Sequence, residues 1–177
     1  VSTISRSGFG VESEGEIPLF DLIKSAVRHR PDLIIVGEIR GEEAYVLFQA
    51  LATGHGGLCT IHAENVETAI KRLTQPPMNI PPAIIPLMNC AIVVKHVRGS
   101  IFDQSGKQLS SRKFISVSEI KDANTIHDIF TWDSSSDTFQ ENLSNSFLLK
   151  KIARSLNVSV ERLMDELEHR KKVLLSM

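Results

Sequence analysis

Two side chains carry the chemistry this sequence could do. Glu38 closes the run "DLIIVGE" and His62 lies near the end of the run "LCTIHA". Both runs are short and apolar, as buried strands are. A parallel sheet binds its ligands beyond the carboxyl ends of its strands, so side chains leaving like ends of neighbouring strands reach one crevice. A carboxylate held there can take a proton from an attacking water, or orient it, which is its part in phosphoryl transfer. An imidazole beside it can donate to a phosphoryl oxygen. His55, seven positions before His62 in "TGHGGLCTIHAE", sits in a turn that Gly54, Gly56 and Gly57 make tight, and could serve nearby.

Each of these residues has a plainer reading. Glu38 could be a strand-end carboxylate paired with Arg40, and the spacing leaves both readings open. His62 could be a satisfied, half-buried histidine, and His55 a turn residue. The two histidines could suggest a metal hydrolase, but no third ligand stands at a useful offset. Gly37, just before Glu38, offers a metal nothing, so magnesium would rely on phosphates and a loop hydroxyl, with Glu38 helping through water. Phosphoryl transfer also gains from a cation on the developing charge. Arg6, in a Gly/Ser-rich stretch, is mobile enough to reach a neighbouring subunit's nucleotide. Arg28 and Arg30 end a helix, where solvated cations suit the dipole. The run "EHRKKVLL" reads as a solvated helix end, with a membrane-surface or partner contact as the other reading.

The elements that must position these groups follow from periodicity. Residues 1–17 read as a loop after a strand. Pro18 opens a helix whose apolar face is Leu19, Phe20, Leu22, Ile23, Ala26 and Val27, and Pro31 stops it. "DLIIVGE" reads as a strand covered on both faces. Residues 42–53 return to helix, with Gly54 just past the end. "LCTIHA" is a second strand, and Asn65 caps a helix running to about Leu73. "QPPMNIPPAIIP" is a stiff bend, and "CAIVVKHV" reads as a third strand of the same sheet. The order is that of an α/β sheet with crossover helices. Residues 99–111 look loop-like. "KFISVSEIK", "TIHDIFTWD" and "TFQEN" read as antiparallel strands, followed by helices from Asn145 and, capped by Ser159, to the end. The domain boundary is expected between residues 98 and 99.

Composition narrows the class. The chain has 177 residues, 42% hydrophobic and 23% charged, with a net charge of −1; nucleic-acid binders are normally basic, so none is expected as a partner. Cys59 and Cys90 lie in apolar runs without C-x-x-C spacing and read as reduced, packed thiols of a cytosolic protein. No apolar run approaches the roughly 20 residues needed to span a bilayer. Val at position 1 suggests a processed chain or an excised fragment.

The stretch "FDLIKSAVRHRPDLIIVGEIRGEEAYVLFQALATGHGGLCTIHAENVETAIKRL" resembles the secretion ATPases of the type II/type IV superfamily. "IIVGEIR" resembles its atypical Walker B box, with glycine where most such enzymes place aspartate. "TGHGGLCTIHAEN" resembles its histidine box, and "LLKKIARSLNVSVERLMDELEHRKKVLLSM" the carboxyl end of the archaeal branch. The resemblance implies the C-terminal half of a RecA-like P-loop NTPase core in residues 1–98, with small antiparallel strands and C-terminal helices in 99–177. It implies ATP and Mg2+, a homo-hexameric ring, and a membrane-embedded secretion or pilus platform protein as partner, at the cytoplasmic face of the membrane. Glu38 becomes the catalytic carboxylate and His62 the residue near the γ-phosphate. Arg6 becomes the arginine acting across or within the subunit interface, with His55 and Arg40 as further nucleotide-binding or arginine-finger candidates. No G-x-x-x-x-G-K-[ST] occurs in the 177 residues. The chain alone is therefore expected neither to bind ATP tightly nor to hydrolyse it. The competing reading is a non-enzymatic ring or docking module that keeps the fold.

Overall fold

A computed structural model describes residues 17–102 and 108–177. The fold is mixed α/β, with one parallel strand pair and one antiparallel sheet. It divides into two compact units, Val1–Met88 and Asn89–Met177.

In the first unit, α1 (Leu19–Arg28) starts behind Pro18, whose extended backbone makes it the N-cap. Then come β1 (Leu33–Val36), α2 (Glu43–Ala52), β2 (Gly56–Cys59), α3 (Val66–Thr74) and a 3-10 segment, Pro82–Met88. The strands run parallel, from Leu33 opposite Gly56 to Val36 opposite Cys59. The crossover helix α2 lies over β2, where Leu47 and Leu51 fill the space a side chain on Gly57 would need. Ile34, Val36, Leu47 and Phe48 are buried. The opposite face of the strand pair departs from expectation. Leu33, Ile35 and Leu58 are 48%, 70% and 58% exposed, so an apolar run that reads as covered on both faces is covered on one.

Gly54 ends α2 with φ +95° and donates to the Leu51 carbonyl at 3.1 Å. A side chain on Cβ is strained in that region. Gly54→Val should therefore lower stability by about 1–2 kcal/mol, read as a shifted urea midpoint; an unshifted midpoint would show that the turn relaxes freely.

The second unit opens with a four-stranded antiparallel meander: β3 (Cys90–Phe102), β4 (Gln108–Ile120), β5 (Ile126–Asp133) and β6 (Thr138–Glu141). Here the structure corrects two expectations. The run at 90–97 does not extend the parallel sheet; it pairs antiparallel with β4, from Cys90 opposite Glu119 onward, so the units part at 88/89 rather than 98/99. Residues 99–102 and 108–111 are strand, not loop. A third correction concerns the thiols: Cys59 and Cys90 are free and exposed rather than packed.

Two helices complete the unit, α4 (Phe147–Leu156) and α5 (Val160–Leu175). Ser146 and Ser159 cap them, accepting from the Leu149 and Arg162 N–H groups at 2.9 and 3.2 Å. Asn157, left-handed at φ 53°, breaks the chain between them. Among the described residues, only Ile120, Ile129 and Ala153 form this unit's buried apolar core. Buried polar groups stand beside them. Glu119 accepts from the Ser146 hydroxyl at 2.5 Å and from the N–H groups of Phe147 and Leu148 at 2.9 and 3.2 Å. A carboxylate thus answers two of the free donors at the positive end of α4. Among the described residues no helix is long and apolar enough to cross a membrane.

Candidate functional site

The chain stays paired past the ends of β1 and β2. The Ile39 N–H donates to the Thr60 carbonyl at 3.0 Å, and the Thr60 hydroxyl to the Gly37 carbonyl at 2.5 Å. Ile39 is buried. With a tied carbonyl before it and an anchored side chain after it, Glu38 is held at the carboxyl end of the strand pair.

Its two oxygens have different company. Oε2 accepts from the Arg40 guanidinium. Oε1 lies 3.1 Å from His62 Nε2, within ion-pair reach, yet it is shielded from solvent and has no aligned hydrogen bond. The Arg40 hydrogen bond holds the Glu38 carboxyl below the ordinary glutamate range. Burial opposes it, and the charges of Arg40, His62 and Arg72 assist. The carboxyl is therefore ionised at neutral pH. Only 26% of its side chain is exposed, against 81% for His62.

Three residues that the sequence reading did not single out hold this arrangement. Glu43 Oε1 accepts from the N–H groups of Arg40 and Gly41 at 2.6 and 2.8 Å, clamping the turn between Glu38 and α2. The Arg72 guanidinium reaches from α3 to the His62 carbonyl, and Thr60 ties the two strand ends. Glu43 could have been read from its place three residues after Arg40 at a helix start, where carboxylates answer free N–H groups. Arg72, ten residues from His62 on a separate element, left no such signal.

The structure brings Glu38, Arg40 and His62 together, so the pairing with Arg40 and the approach of His62 coexist. His55 is elsewhere. It precedes β2, at the amino end, where Nδ1 lies 3.1 Å from the Ala50 carbonyl and 3.2 Å from the Thr53 hydroxyl. The four residues of β2 put about 13 Å of strand between it and the carboxyl end. Arg6 lies outside the described residues. Among the described residues no three His, Cys, Asp or Glu side chains gather as a metal site.

Residues 4–162 match the family described as type II/IV secretion system protein. The uncharacterized protein MJ1287 of Methanocaldococcus jannaschii is 39% identical over 175 residues, which is 98% of this chain and 63% of that protein. The putative conjugal transfer protein Rv3659c of Mycobacterium tuberculosis is 52% identical over 56 residues, 31% of this chain and 16% of that protein. The X-ray structure of the Legionella pneumophila ATPase DotB aligns at TM-score 0.45 and 22% identity over 58% of this chain and 28% of that one, a likeness too slight to argue from. The chain thus spans less than two thirds of each of these relatives. The family match runs through both units, and the chain belongs to the type II/IV secretion system protein family.

Proposed function

We propose that this chain carries the water-activating part of the nucleotide site of an ATPase that powers protein secretion or the assembly of pili or archaeal filaments. The observation that supports this best is Glu38 Oε1, shielded from solvent, without an aligned hydrogen bond and 3.1 Å from His62 Nε2. That oxygen is closed to water as the site stands; in the proposed reaction the exposed His62 side chain turns toward the phosphoryl oxygens and a water takes its place at Oε1. Such a water is the nucleophile of the proposed reaction. Glu38 orients it and takes its proton, while His62 donates toward the phosphoryl oxygens. The surroundings fit a magnesium–phosphate group. An ionised carboxylate with a guanidinium and an imidazole beside it is a donor set that can meet a hydrated metal and phosphoryl oxygens. Magnesium, when bound, would neutralise phosphate charge, with Glu38 reaching it through water.

In this reading the first unit is the back half of a RecA-like core, and the longer protein is a hexamer working against a membrane-embedded platform protein at the cytoplasmic face. Arg6 would reach the nucleotide across or within the subunit interface. Arg40 serves first as the partner that keeps Glu38 charged. The phosphate grip itself belongs to a lysine-bearing loop, and none occurs in the 177 residues.

Phosphate release with ATP and magnesium tests the proposal in two samples. A longer protein that includes such a loop should turn over, and His62→Ala in it should slow turnover roughly 10²-fold. This chain alone should release no phosphate above background. An inactive longer protein with an intact loop would leave a docking module as the better reading.

A further inference from the structure

None of the residues of α5 is buried. Val160, Leu163, Met164, Leu167, Leu174 and Leu175 recur at the spacing that lines one side of a helix. Val160 and Leu163 are half-buried. Beyond them exposure climbs along the stripe, to 37% at Met164, 43% at Leu167, 71% at Leu174 and 78% at Leu175. Cover therefore fades from the α4 end outward.

The charges of α5 are segregated along its axis. Glu161, Asp165, Glu166 and Glu168 occupy the first part with Arg162 as the single cation, and His169, Arg170, Lys171 and Lys172 follow with no acid among them. The helix dipole favours acids in the first turn and bases in the last, which accounts for Glu161 and Lys172. It does not call for three acids in mid-helix or for bare leucines. Two pairs close within the helix, Glu166 with Arg170 at 2.8 Å and Glu168 with Lys171 at 3.2 Å; exposed pairs of this kind are weak and readily shared.

We propose that α5 is a self-association surface, pairing antiparallel with α5 of a second copy of this chain. That orientation sets the acidic half of each helix beside the basic half of the other and buries the two apolar stripes against each other. Parallel pairing would set like charges side by side. An anionic membrane would attract the basic half and repel the acidic one, so a lipid surface suits this helix less well than its own copy does. Sixteen residues make about 24 Å of helix, which is short for a stable interface, so the pairing is weak and concentration-dependent.

Sedimentation velocity on the whole chain, from low to several hundred micromolar, should show a reversible monomer–dimer equilibrium that weakens as salt is raised. Two charge-reversed triples then test whether these charges hold the pair together: Asp165→Lys with Glu166→Lys and Glu168→Lys, and Arg170→Glu with Lys171→Glu and Lys172→Glu. Each alone should stay monomeric, with helix content checked by circular dichroism, and an equimolar mixture of the two should pair again. A wild-type chain monomeric throughout overturns the proposal. So does association that the triples leave unchanged, which would place it on another surface, and so does a mixture that stays monomeric. Wild-type chain that pellets with anionic vesicles while remaining monomeric would assign α5 to lipid instead.

Discussion

Glu38→Gln, made in a longer protein with a lysine-bearing phosphate loop, should cut ATP turnover by about 10²–10⁴-fold while nucleotide binding changes only a few-fold. The substitution keeps the size of the side chain and removes its charge. Three consequences follow from the geometry. The group that accepts the water's proton is lost, and the amide holds water without activating it. Arg40 loses the anion it bonds, and His62 Nε2 loses the charge 3.1 Å away. The first and third act on the chemical step, so single-turnover release should fall while a fluorescent nucleotide still binds. Normal turnover would return Glu38 to a role as Arg40's structural partner. The pH dependence has a definite sign. Because the folded carboxyl titrates below its ordinary value of 4.5, the stability its pairs lend is complete above that value. It is lost as pH falls through the lowered one.

Glu119→Ala should destabilise the second unit by about 3 kcal/mol or more. Glu119 is 6% exposed and Ser146 1%. Truncation orphans the Ser146 hydroxyl and the N–H groups of Phe147 and Leu148 at once. It also strikes a unit whose buried apolar residues are few, so little else compensates. Glu119→Gln should cost less, since its carbonyl still accepts while its amide faces donors. Chemical unfolding followed by the fluorescence of Trp132, in β5 of the same unit, would read both variants. Equal midpoints for wild type and Glu119→Ala would show that water replaces the carboxylate without loss.

The meeting of Glu38 and His62 was legible because strands announce themselves by apolar runs and parallel neighbours present like ends to the same side. The same reasoning, carried further, would have placed His55 at the opposite end of β2 from His62. It precedes β2 and His62 follows it, so the strand itself separates the two histidines that look adjacent in "TGHGGLCTIHAE". The run at 90–97 was misassigned for a different reason. An apolar β-branched stretch reports burial and not the direction of its partner, and the partner that decides the matter, β4, comes eighteen residues after β3 begins. Cover on both faces of β1 was inferred from composition alone. Contacts such as Arg72 to the His62 carbonyl or Glu119 to the start of α4 join separate elements. Local pattern carries no trace of them.

The bare face of β1 and β2 bears on how firmly the site is set. A strand pair packed on both sides is stiff, because moving either strand must disturb two layers of side chains. Here Leu33, Ile35 and Leu58 are exposed on their side. Four residue pairs, the link from Ile39 to Thr60, the hydroxyl tie from Thr60 to Gly37, the Glu43 clamp and the Arg72 bond to the His62 carbonyl supply the restraint. The Glu38–His62 gap is therefore braced from one side of the strand pair, through α2 and through Arg72 of α3. Whatever comes to rest on those three side chains would stiffen it, acting from behind the sheet on a distance set at its end.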